Sequence, residues 1–476
     1  MADKSDKPHA IFIPYPLQGH VNPSVQLALK LASQGFTITF INTQSVHNQT
    51  SKAQSKTGPD IFSQVRDSGL DIRYVTVSDG LPVGFDRSLN HDQFMAALLH
   101  VFSAHAEEVV NQIIRSGQKV HCLIADTYFV WPSKVAKKFG LLYISFWTET
   151  ALVFTLYYHL DLLKRHGHFA CIDRCEDEID YIPGVKAIEP KDTTSYLQEP
   201  CSTTVCHQII FNAFEDAKNA DFVICNTVQE LETETISALQ KKLPWFAIGP
   251  IFSSQFTDRI VSTSMWSECD CSTWLNKKPN GSVLYVSFGS YAHLTKKELV
   301  EIANGLSLSK VSFIWVLRPD IVSTEDPNPL PDRFQEEVAG RAIIIPWCCQ
   351  TAVLAHPAIG GFLTHCGWNS ILESMWCKVP MLCYPLYTDQ FTNRKLVVDD
   401  WKVGINLINQ KMATKEEVSK NINHLMSEKS GDPYRNSVQE VKKTMENGLK
   451  PGGSSANNMD QFIKDLKAKI PKKMAQ

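Results

Sequence analysis

Short apolar segments alternate with amphipathic helical segments along most of this 476-residue chain. Strands are predicted at residues 9–14, 36–42, 121–126, 141–147, 222–226 and 245–248, and again at 282–288, 312–317, 341–346, 359–363 and 380–384. Helices are predicted around 22–34, 92–115, 132–139 and 229–242, then at 296–308, 351–355, 370–377 and around 393–401. Strands rich in Val, Ile, Leu and Phe that alternate with helices indicate parallel sheets covered on both faces. The fold class predicted is therefore α/β.

The pattern occurs twice, and a single core stops growing at roughly 250–300 residues, so we expect two doubly wound domains. We place an N-terminal domain at 1–250, a linker at 251–275 and a C-terminal domain at 276–455. The segment 456–476 is predicted to be a helix and tail that packs back on the N-terminal domain. In such folds ligands bind at the carboxyl ends of the strands, which predicts a site in a cleft that both domains face.

Charge and composition exclude several classes of protein. Lys and Arg number 47 against 50 Asp and Glu, so no basic excess exists to drive nucleic-acid binding. No apolar stretch is long and uncharged enough to cross a membrane, and the charged N-terminus carries no signal pattern, so we expect a cytoplasmic protein. The 13 cysteines form no C-x-x-C pair and are expected to be free thiols, with no bound metal.

Several motifs of α/β enzymes are missing from the sequence. There is no G-x-G pair, no Gly-Lys dipeptide, no D-x-D and no G-x-S-x-G. The first absence disfavours a dinucleotide-dependent hydride transfer, and the others disfavour a P-loop, a simple metal-chelating pair and a serine nucleophile. A phosphate group must be bound by another device.

The segment 347–390 is dense in unusual polar and aromatic residues. Residues 365–370, His-Cys-Gly-Trp-Asn-Ser, lie between a predicted strand and a predicted helix, and Gly367 is expected to allow a tight turn. A helix N-terminus beside an imidazole is suited to a diphosphate. Trp347 offers a flat face for a base, and Glu373, one turn into the helix, is suited to ribose hydroxyls.

His20 and Asp126 are candidates for proton transfer. His20 is predicted in a loop after the first strand, and Asp126 ends the strand 121–126. An imidazole takes up a proton near neutral pH, and a carboxylate on its other nitrogen fixes the tautomer. Taken alone, His20 is also compatible with a solvated residue or a helix cap, and Asp126 with a helix N-cap.

The segment 347–390 resembles the 44-residue signature box of plant secondary-product UDP-glycosyltransferases, family 1 of the GT-B fold. The resemblance extends to residues 11–35 and to 282–290, which look like the family's acceptor segment and donor-phosphate loop. It implies two doubly wound Rossmann-like domains. The matching box positions are Trp347, Gln350, Leu354, His356, Phe362, His365 through Ser370, Glu373, Val379, Pro380, Pro385, Asp389 and Gln390.

The resemblance also implies residue roles. His20 would be the catalytic base and Asp126 its partner. The implied UDP-sugar ligands are Ser290, Trp347, Cys348, Gln350, His365, Gly367, Trp368, Asn369, Ser370, Glu373, Asp389, Gln390 and Thr148. Among them Gln390 and Trp368 are typical of members that use UDP-glucose. Two positions depart from the family, since Cys349 replaces a proline and Lys378 replaces a glycine.

The sequence therefore predicts an inverting, metal-independent transferase that moves glucose from UDP-glucose to a hydroxyl of a small lipophilic acceptor, giving a β-O-glucoside. We expect a monomer without a cofactor other than the donor substrate, and without a nucleic-acid partner or transmembrane segment. The alternatives are a UDP-sugar-binding protein without activity, or a UDP-sugar epimerase or hydrolase on the same scaffold. The acceptor stays open, because the loops expected to bind it, 78–90 and 165–200, are variable in the family.

Overall fold

The computed structural model describes residues 7–54, 60–169, 177–199, 203–252, 256, 261–322, 329–408 and 412–474. The chain forms two compact units. The first comprises Met1–Pro190, Tyr196–Met265 and Asn447–Gln476, and the second comprises Lys191–Ser195 and Trp266–Glu446.

Parallel strands and intervening helices make up both units. The strands are β1 His9–Ile13, β2 Thr37–Thr43, β3 Ile72–Val77, β4 Cys122–Asp126, β5 Leu142–Trp147, β6 Phe222–Cys225, β7 Trp245–Ala247, β8 Val283–Ser287, β9 Ser312–Val316, β10 Ala342–Ile345, β11 Ile359–Thr364, β12 Met381–Cys383 and β13 Gly404–Asn406. The helices are α1 Gln18–Ser33, α2 Gln44–Ala53, α3 Ser63–Asp67, α4 His91–His100, α5 Phe102–Arg115, α6 Pro132–Phe139, α7 Ala151–Tyr158, α8 Leu160–Arg165, α9 Ser195–Gln198, α10 Val205–Ala217, α11 Thr233–Gln240, α12 Ser272–Leu275, α13 Lys296–Ser309, α14 Phe334–Glu337, α15 Gln350–Leu354, α16 Trp368–Trp376, α17 Gln390–Lys395, α18 Lys415–Met426, α19 Glu428–Leu449 and α20 Ser454–Met474. Short 3-10 turns lie at Pro190–Asp192 and Gln229–Leu231, and a π-helical turn lies at Leu396–Asp400.

The first unit is built on a seven-stranded parallel sheet in the order β3-β2-β1-β4-β5-β6-β7. Successive residues of a strand face opposite sides of a sheet, so Ala10 and Phe12 enter one core while Ile11 and Ile13 enter the other. The C-terminal helix α20 adds Phe462, whose ring packs edge-on against Phe222. Both faces of this sheet are therefore covered.

The second unit has a six-stranded parallel sheet in the order β10-β9-β8-β11-β12-β13. Its core joins the strands to α13 and α18, with Trp315, Leu306 and Ile422 fully buried. In both sheets the strand order reverses at one place, between β1 and β4 and between β8 and β11. Crevices at such reversals are where open α/β sheets bind ligands.

The prediction of two doubly wound α/β sheets is confirmed, and the predicted strands lie within one or two residues of the observed ones. The single helix predicted at 92–115 is wrong, because Val101 leaves helical geometry (φ −114°) and separates α4 from α5. The pattern also missed β3 and β13, and among the helices it missed α2, α3, α7, α8, α9, α10, α12, α14, α18 and α19. The predicted domain boundaries stay predictions, and residues 253–255 and 257–260 of the predicted linker lie outside the described residues.

A helix that crosses a bilayer needs about 20 predominantly apolar residues. Within the described ranges, none of the helices is long and apolar enough to span a bilayer.

Candidate active site

His20 lies just beyond β1, in the first turn of α1. The predicted loop around it is wrong: Gly19, Asn22 and Pro23 are typical of loops, yet the helix begins at Gln18. The cause is local, because the carbonyl of Leu17 accepts the main-chain N–H groups of both His20 and Val21 at 2.9 Å. The helix consequently fixes the direction of the imidazole more firmly than a loop would.

Asp126 is the last residue of β4, the strand beside β1 at the reversal of strand order. Its Oδ2 lies 2.7 Å from Nδ1 of His20, and its Oδ1 accepts the main-chain N–H of Tyr128 at 3.0 Å. The His20 side chain is 12% exposed and that of Asp126 only 1%. The carboxylate is thus fixed from both sides, with the imidazole at the surface of the buried pair.

This contact determines which nitrogen of His20 is available. An ionised carboxylate only accepts hydrogen bonds, so Nδ1 carries the proton that it donates to Asp126. Oγ1 of Thr148 lies 2.9 Å from the same Nδ1. Nε2 has no hydrogen-bond partner among the residues that the structure describes. It is therefore able to accept a proton.

Two tyrosines flank the imidazole. The ring of Tyr15 lies 5.5 Å from the His20 ring and that of Tyr128 lies 5.7 Å from it, while the two tyrosine rings are 5.8 Å apart. The Tyr128 hydroxyl donates to Glu149, and that of Tyr15 to the sulfur of Met95. The surroundings of His20 are therefore aromatic, with their hydroxyl groups already bonded.

Three of the predicted donor ligands lie together in the second unit, namely Gln350, Ser370 and Glu373. Nε2 of Gln350, at the start of α15, donates to Oε2 of Glu373 at 2.8 Å and to Oγ of Ser370 at 3.0 Å. Its Oε1 accepts the hydroxyl of Tyr285 at 3.3 Å. Glu373 and Ser370 lie on the same face of α16, which brings a carboxylate, an amide and a hydroxyl together at the reversal of the second sheet.

His365 follows β11, and its imidazole is confined between two glycines. A Cβ atom at Gly289 or at Gly367 would lie 2.5 Å from Nε2 of His365. Gly367 was expected to allow a tight turn, but its φ is −64° and Cys366 takes the positive φ of 67°. Glycine is needed at 367 for space. Trp368, Asn369 and Ser370 form the first turn of α16, at the positive end of the helix dipole.

Burial lowers the pKa of His365 from 6.5 to about 4, and the positive charge of Arg318 contributes, while a main-chain interaction with Ser287 partly opposes the shift. The imidazole is therefore neutral at physiological pH. A neutral imidazole donates one hydrogen bond and carries no charge.

Arg318 was missed by the sequence analysis. It follows β9, is 2% exposed and donates to the carbonyls of Gly289 and Ala292. Arg318 thereby braces the loop that carries Ser290, next to His365. Its position two residues after β9, the strand beside β8, was the available signal.

Asp389 and Gln390 lie at the start of α17 and are 7% and 5% exposed. Asn393 donates to Oδ2 of Asp389 at 2.5 Å. Oε1 of Gln390 accepts the main-chain N–H of Leu386 at 2.8 Å and that of Tyr387 at 3.2 Å. These two bonds fix the orientation of the amide, so Gln390 presents Nε2, a donor, away from its own loop.

A segment distant in sequence holds this loop. Within the second unit, Asp192 pairs with Arg394, and its carbonyl accepts the hydroxyl of Thr392 at 2.8 Å. Ser195 accepts the main-chain N–H of Thr388 at 2.9 Å through its hydroxyl. Sequence reasoning missed this clamp, since about 200 residues separate its partners.

The remaining predicted donor residues lie close to these groups in the chain. Trp347 is 9% exposed and Cys348 is 3% exposed. Cys349 has φ −71°, close to the value that proline imposes, so the backbone at this position has a conformation that proline could also adopt. Among the described residues, no three His, Cys, Asp or Glu side chains are placed to hold a metal ion jointly.

Both parts of the chain match known protein families. Residues 262–443 match the family model "UDP-glucoronosyl and UDP-glucosyl transferase", and residues 8–135 match "Glycosyltransferase, N-terminal domain". UDP-glycosyltransferase 86A2 of Arabidopsis thaliana is 59% identical over 465 residues, which is 97% of this chain and 95% of that protein. 7-Deoxyloganetin glucosyltransferase of Gardenia jasminoides is 35% identical over 98% of both chains.

A solved structure shows the same fold. The crystal structure of UDP-glucose: anthocyanidin 3-O-glucosyltransferase in complex with UDP has a TM-score of 0.82 and 25% identity, over 98% of this chain and 100% of that one. The predicted GT-B fold is confirmed. This chain belongs to the plant family 1 UDP-glycosyltransferases and is an enzyme that uses a UDP-sugar donor.

Proposed function

We propose that this enzyme transfers glucose from UDP-glucose to a hydroxyl of a small lipophilic acceptor, with inversion at the anomeric carbon, to give a β-O-glucoside. The observation that carries the proposal is the 2.7 Å contact between Nδ1 of His20 and Asp126, which leaves Nε2 to accept a proton. A protein that only binds a UDP-sugar has no need of such a pair.

In the proposed reaction, Nε2 of His20 takes the proton of the acceptor hydroxyl. The resulting oxygen nucleophile attacks C1 of the α-linked sugar, and the bond from C1 to the diphosphate breaks on the opposite side. Asp126 stabilises the imidazolium that forms, as the aspartate of a serine-protease triad does. General base catalysis of this kind contributes about 10²–10⁴ in rate.

The donor is held by the second unit in this proposal. Trp347 stacks on uracil, with Cys348 beside it, while Gln350 and Glu373 bind the ribose. The diphosphate is bound by His365, Asn369, Ser370 and Ser290, with Gly367 and Trp368 contributing their main chain. Asp389 and Gln390 bind the sugar hydroxyls, and Thr148 touches the sugar or its phosphate. The Gln350–Glu373 contact at 2.8 Å supports a shared role for those two side chains.

The charge that develops on UDP is stabilised in this account without a metal ion. The positive end of the α16 dipole favours negative charge, and His365 contributes one hydrogen bond from a neutral imidazole. The low pKa of His365 supports the role of a neutral imidazole. Burial makes the charged form costly, so the imidazole is uncharged when the donor binds.

Glucose as the donor sugar has separate support. The curated relative from Gardenia jasminoides and the solved anthocyanidin enzyme are both named as glucosyltransferases, and the latter as a 3-O-glucosyltransferase. The fixed Nε2 donor of Gln390 is suited to a sugar hydroxyl. Binding of the acceptor by the first unit is supported by the aromatic rings around His20. A monomeric state and a cytoplasmic location remain predictions.

The proposal is tested by measuring UDP release from UDP-glucose with and without a panel of lipophilic alcohols and phenols, in the presence and absence of EDTA. We expect acceptor-dependent release, a hexose mass gain on the acceptor, a β-anomer by NMR and no effect of EDTA. Acceptor-independent release of glucose would indicate a hydrolase, and interconversion of the UDP-sugar an epimerase. UDP-glucose binding without turnover on any acceptor would indicate a binding protein.

A further inference from the structure

Asp389 and Gln390, the two residues proposed to bind the sugar hydroxyls, directly follow a residue with an unusual backbone. Thr388 has φ 56°, a left-handed conformation that β-branched residues rarely adopt. A change to an ordinary backbone at Thr388 would redirect the two residues after it. The left-handed conformation therefore depends on contacts that the rest of the fold makes with Thr388.

Ser195, the first residue of α9, makes two of these contacts from within the second unit. The main-chain N–H of Thr388 donates to Oγ of Ser195 at 2.9 Å, and the main-chain N–H of Ser195 donates to the carbonyl of Thr388 at 3.0 Å. Both main-chain polar groups of Thr388 are thus bonded to one residue, 193 positions away in the sequence. This reciprocal pair fixes the peptide groups on both sides of Thr388.

The side chain of Thr388 connects this constraint to Asp389. Its hydroxyl donates to Oδ1 of Asp389 at 2.6 Å, while the amide of Asn393 donates to Oδ2. A carboxylate has about four acceptor sites, so one that is fixed by two such bonds is still suited to sugar hydroxyls. The orientation of the Asp389 carboxylate consequently depends on the conformation that Ser195 imposes on Thr388.

The same loop conformation orients Gln390. Its Oε1 accepts the main-chain N–H groups of Leu386 and Tyr387, the two residues directly before Thr388. A rotation of the backbone at Thr388 would move these N–H groups relative to α17, on which Gln390 lies. Loss of the Ser195 bonds would therefore disturb both residues that are proposed to contact the sugar.

Asp192 anchors the other end of the short segment to which Ser195 belongs. Its carbonyl accepts the hydroxyl of Thr392 at 2.8 Å, and its carboxylate pairs with the guanidinium of Arg394. Asp192 and Thr392 are both buried, so water does not readily replace these bonds. The segment 192–195 is thus fixed on α17 at one end and on the loop before α17 at the other.

We propose that Ser195 is a positioning residue for the sugar, and that its bonds to Thr388 determine how strongly the hexose contributes to binding of the donor. The inference rests on the sugar roles proposed above for Asp389 and Gln390. Because Ser195 orients both side chains in advance, binding of the hexose does not have to order the loop first. The proposed nucleotide contacts on α15 and α16 do not depend on this loop.

The Ser195→Ala variant removes the hydroxyl that accepts the Thr388 N–H, and Ser307→Ala is its matched control. Ser307 is another serine of the second unit whose hydroxyl joins two segments, since it donates to Glu337 at 2.8 Å. The affinities of UDP and of UDP-glucose are measured by calorimetry without an acceptor. The values of kcat and KM for UDP-glucose are measured by UDP release with an acceptor that the wild type uses.

In Ser195→Ala we expect the affinity for UDP-glucose to fall about three- to tenfold, as for one lost hydrogen bond, while the affinity for UDP stays at the wild-type value. KM for UDP-glucose should rise by a similar factor. Ser195→Thr, which keeps the hydroxyl, should restore both values, and Ser307→Ala should change neither. Hydrogen exchange in a peptide that contains Thr388 should become faster in Ser195→Ala and stay unchanged in Ser307→Ala.

Asp389→Asn distinguishes failure of this inference from failure of the sugar roles. If Asp389→Asn weakens UDP-glucose relative to UDP and Ser195→Ala does not, the inference about Ser195 is overturned while the sugar roles stand. If neither variant changes the ratio of the two affinities, the sugar roles are contradicted and the inference fails with them. Equal losses of UDP and UDP-glucose affinity in Ser195→Ala would indicate a general structural defect and would also overturn the inference.

A second variant tests the same segment if Ser195→Ala does not fold. Thr392→Val removes the hydroxyl that donates to the carbonyl of Asp192 and keeps the shape of the side chain. We expect it to weaken UDP-glucose relative to UDP in the same direction, because the segment that carries Ser195 loses its other anchor. An unchanged ratio of the two affinities in Thr392→Val would then overturn the inference.

Discussion

The imidazole Nδ1 of His20 lies 2.7 Å from Oδ2 of Asp126, and the other oxygen of that carboxylate accepts the Tyr128 main-chain N–H. His20 follows β1 and Asp126 ends β4, and these are neighbouring strands on either side of the strand-order reversal. The sheet therefore brings together residues that are 106 positions apart in sequence. The carboxylate has no freedom to leave the imidazole without losing a main-chain hydrogen bond.

Replacing Asp126 by Asn should lower the rate of transfer by about two to four orders of magnitude, because an amide that donates to Nδ1 favours the wrong tautomer of His20. UDP affinity should not change. The matched control is Asp216→Asn, another buried carboxylate of the first unit, which bonds to Ser133 outside the site. Steady-state kinetics and UDP calorimetry on both variants would show whether the loss is specific, and equal activity of the two would contradict the dyad.

Gln390→Glu distinguishes the acceptor role of Oε1 in Gln390 from the donor role of its Nε2. A carboxylate can still accept the N–H groups of Leu386 and Tyr387, but it cannot replace the Nε2 donor. We therefore expect thermal stability and UDP affinity to stay near the wild-type values, while kcat/KM with UDP-glucose falls about tenfold or more.

Gln390→His should instead lower the use of UDP-glucose relative to UDP-galactose. An unchanged donor ratio in both variants would mean that Gln390 does not contact the sugar.

Two buried histidines predict how stability depends on pH. Burial, with the charge of Arg73, lowers the pKa of His9 from 6.5 to about 4, the same shift that burial and Arg318 give His365. The folded state favours the neutral form of both histidines. Their contribution to the free energy of unfolding is therefore fully present above pH 6.5. It is lost as the pH falls from 6.5 towards 4.

Urea denaturation at several pH values tests this prediction. His9→Gln and His365→Gln should each flatten the fall in the unfolding free energy below pH 6.5, since each removes a proton taken up on unfolding. Only His365→Gln should also weaken UDP binding, so His9→Gln serves as the control. If His365→Gln retains the wild-type slope, the imidazole is not buried in its neutral form.

Lys378 carries a backbone cost that its replacement should remove. It has φ 61° at the end of α16, where the N–H of Val379 bonds to the carbonyl of Ser374 and that of Lys378 to Met375. Such helix ends favour glycine. Lys378→Gly should raise the free energy of unfolding by about 0.5–1 kcal/mol, since relief of the left-handed geometry exceeds the loss of an exposed charge near a helix end.

The control for this change is Lys420→Gly, an exposed position inside α18, which should lower the unfolding free energy by about 1 kcal/mol. Thermal or urea melts of both variants provide the comparison. Destabilisation by Lys378→Gly of the same size as in the control would show that the left-handed conformation carries no cost there.

Hydrophobic periodicity predicted the strands of both sheets well, because fully buried parallel strands such as β1 and β11 are continuously apolar. It missed β3, in which residues of intermediate burial alternate less clearly. It also misplaced the start of α1, where Gly19 and Pro23 are tolerated in a helix that the Leu17 carbonyl initiates. Local sequence signals do not report such a main-chain contact in advance.

The chemistry-bearing residues of the candidate site were found from the sequence because they lie on a long contiguous motif or at the ends of predicted strands. The residues that hold these side chains in place were not found from the sequence. Arg318 contacts the loop at Gly289 across 29 positions, and Asp192 contacts Arg394 across 202. Neither spacing leaves a local pattern, so only the folded chain reveals that these charges hold the loops that carry the proposed donor ligands.

The central claim is that His20 removes the proton of the acceptor hydroxyl, and the His20→Ala variant tests it most directly. Acceptor-dependent UDP release from UDP-glucose should be measured for this variant and the wild type, with UDP affinity determined on the same samples. The account predicts that transfer is abolished while UDP affinity stays close to the wild-type value. Transfer at the wild-type rate by His20→Ala would contradict the account.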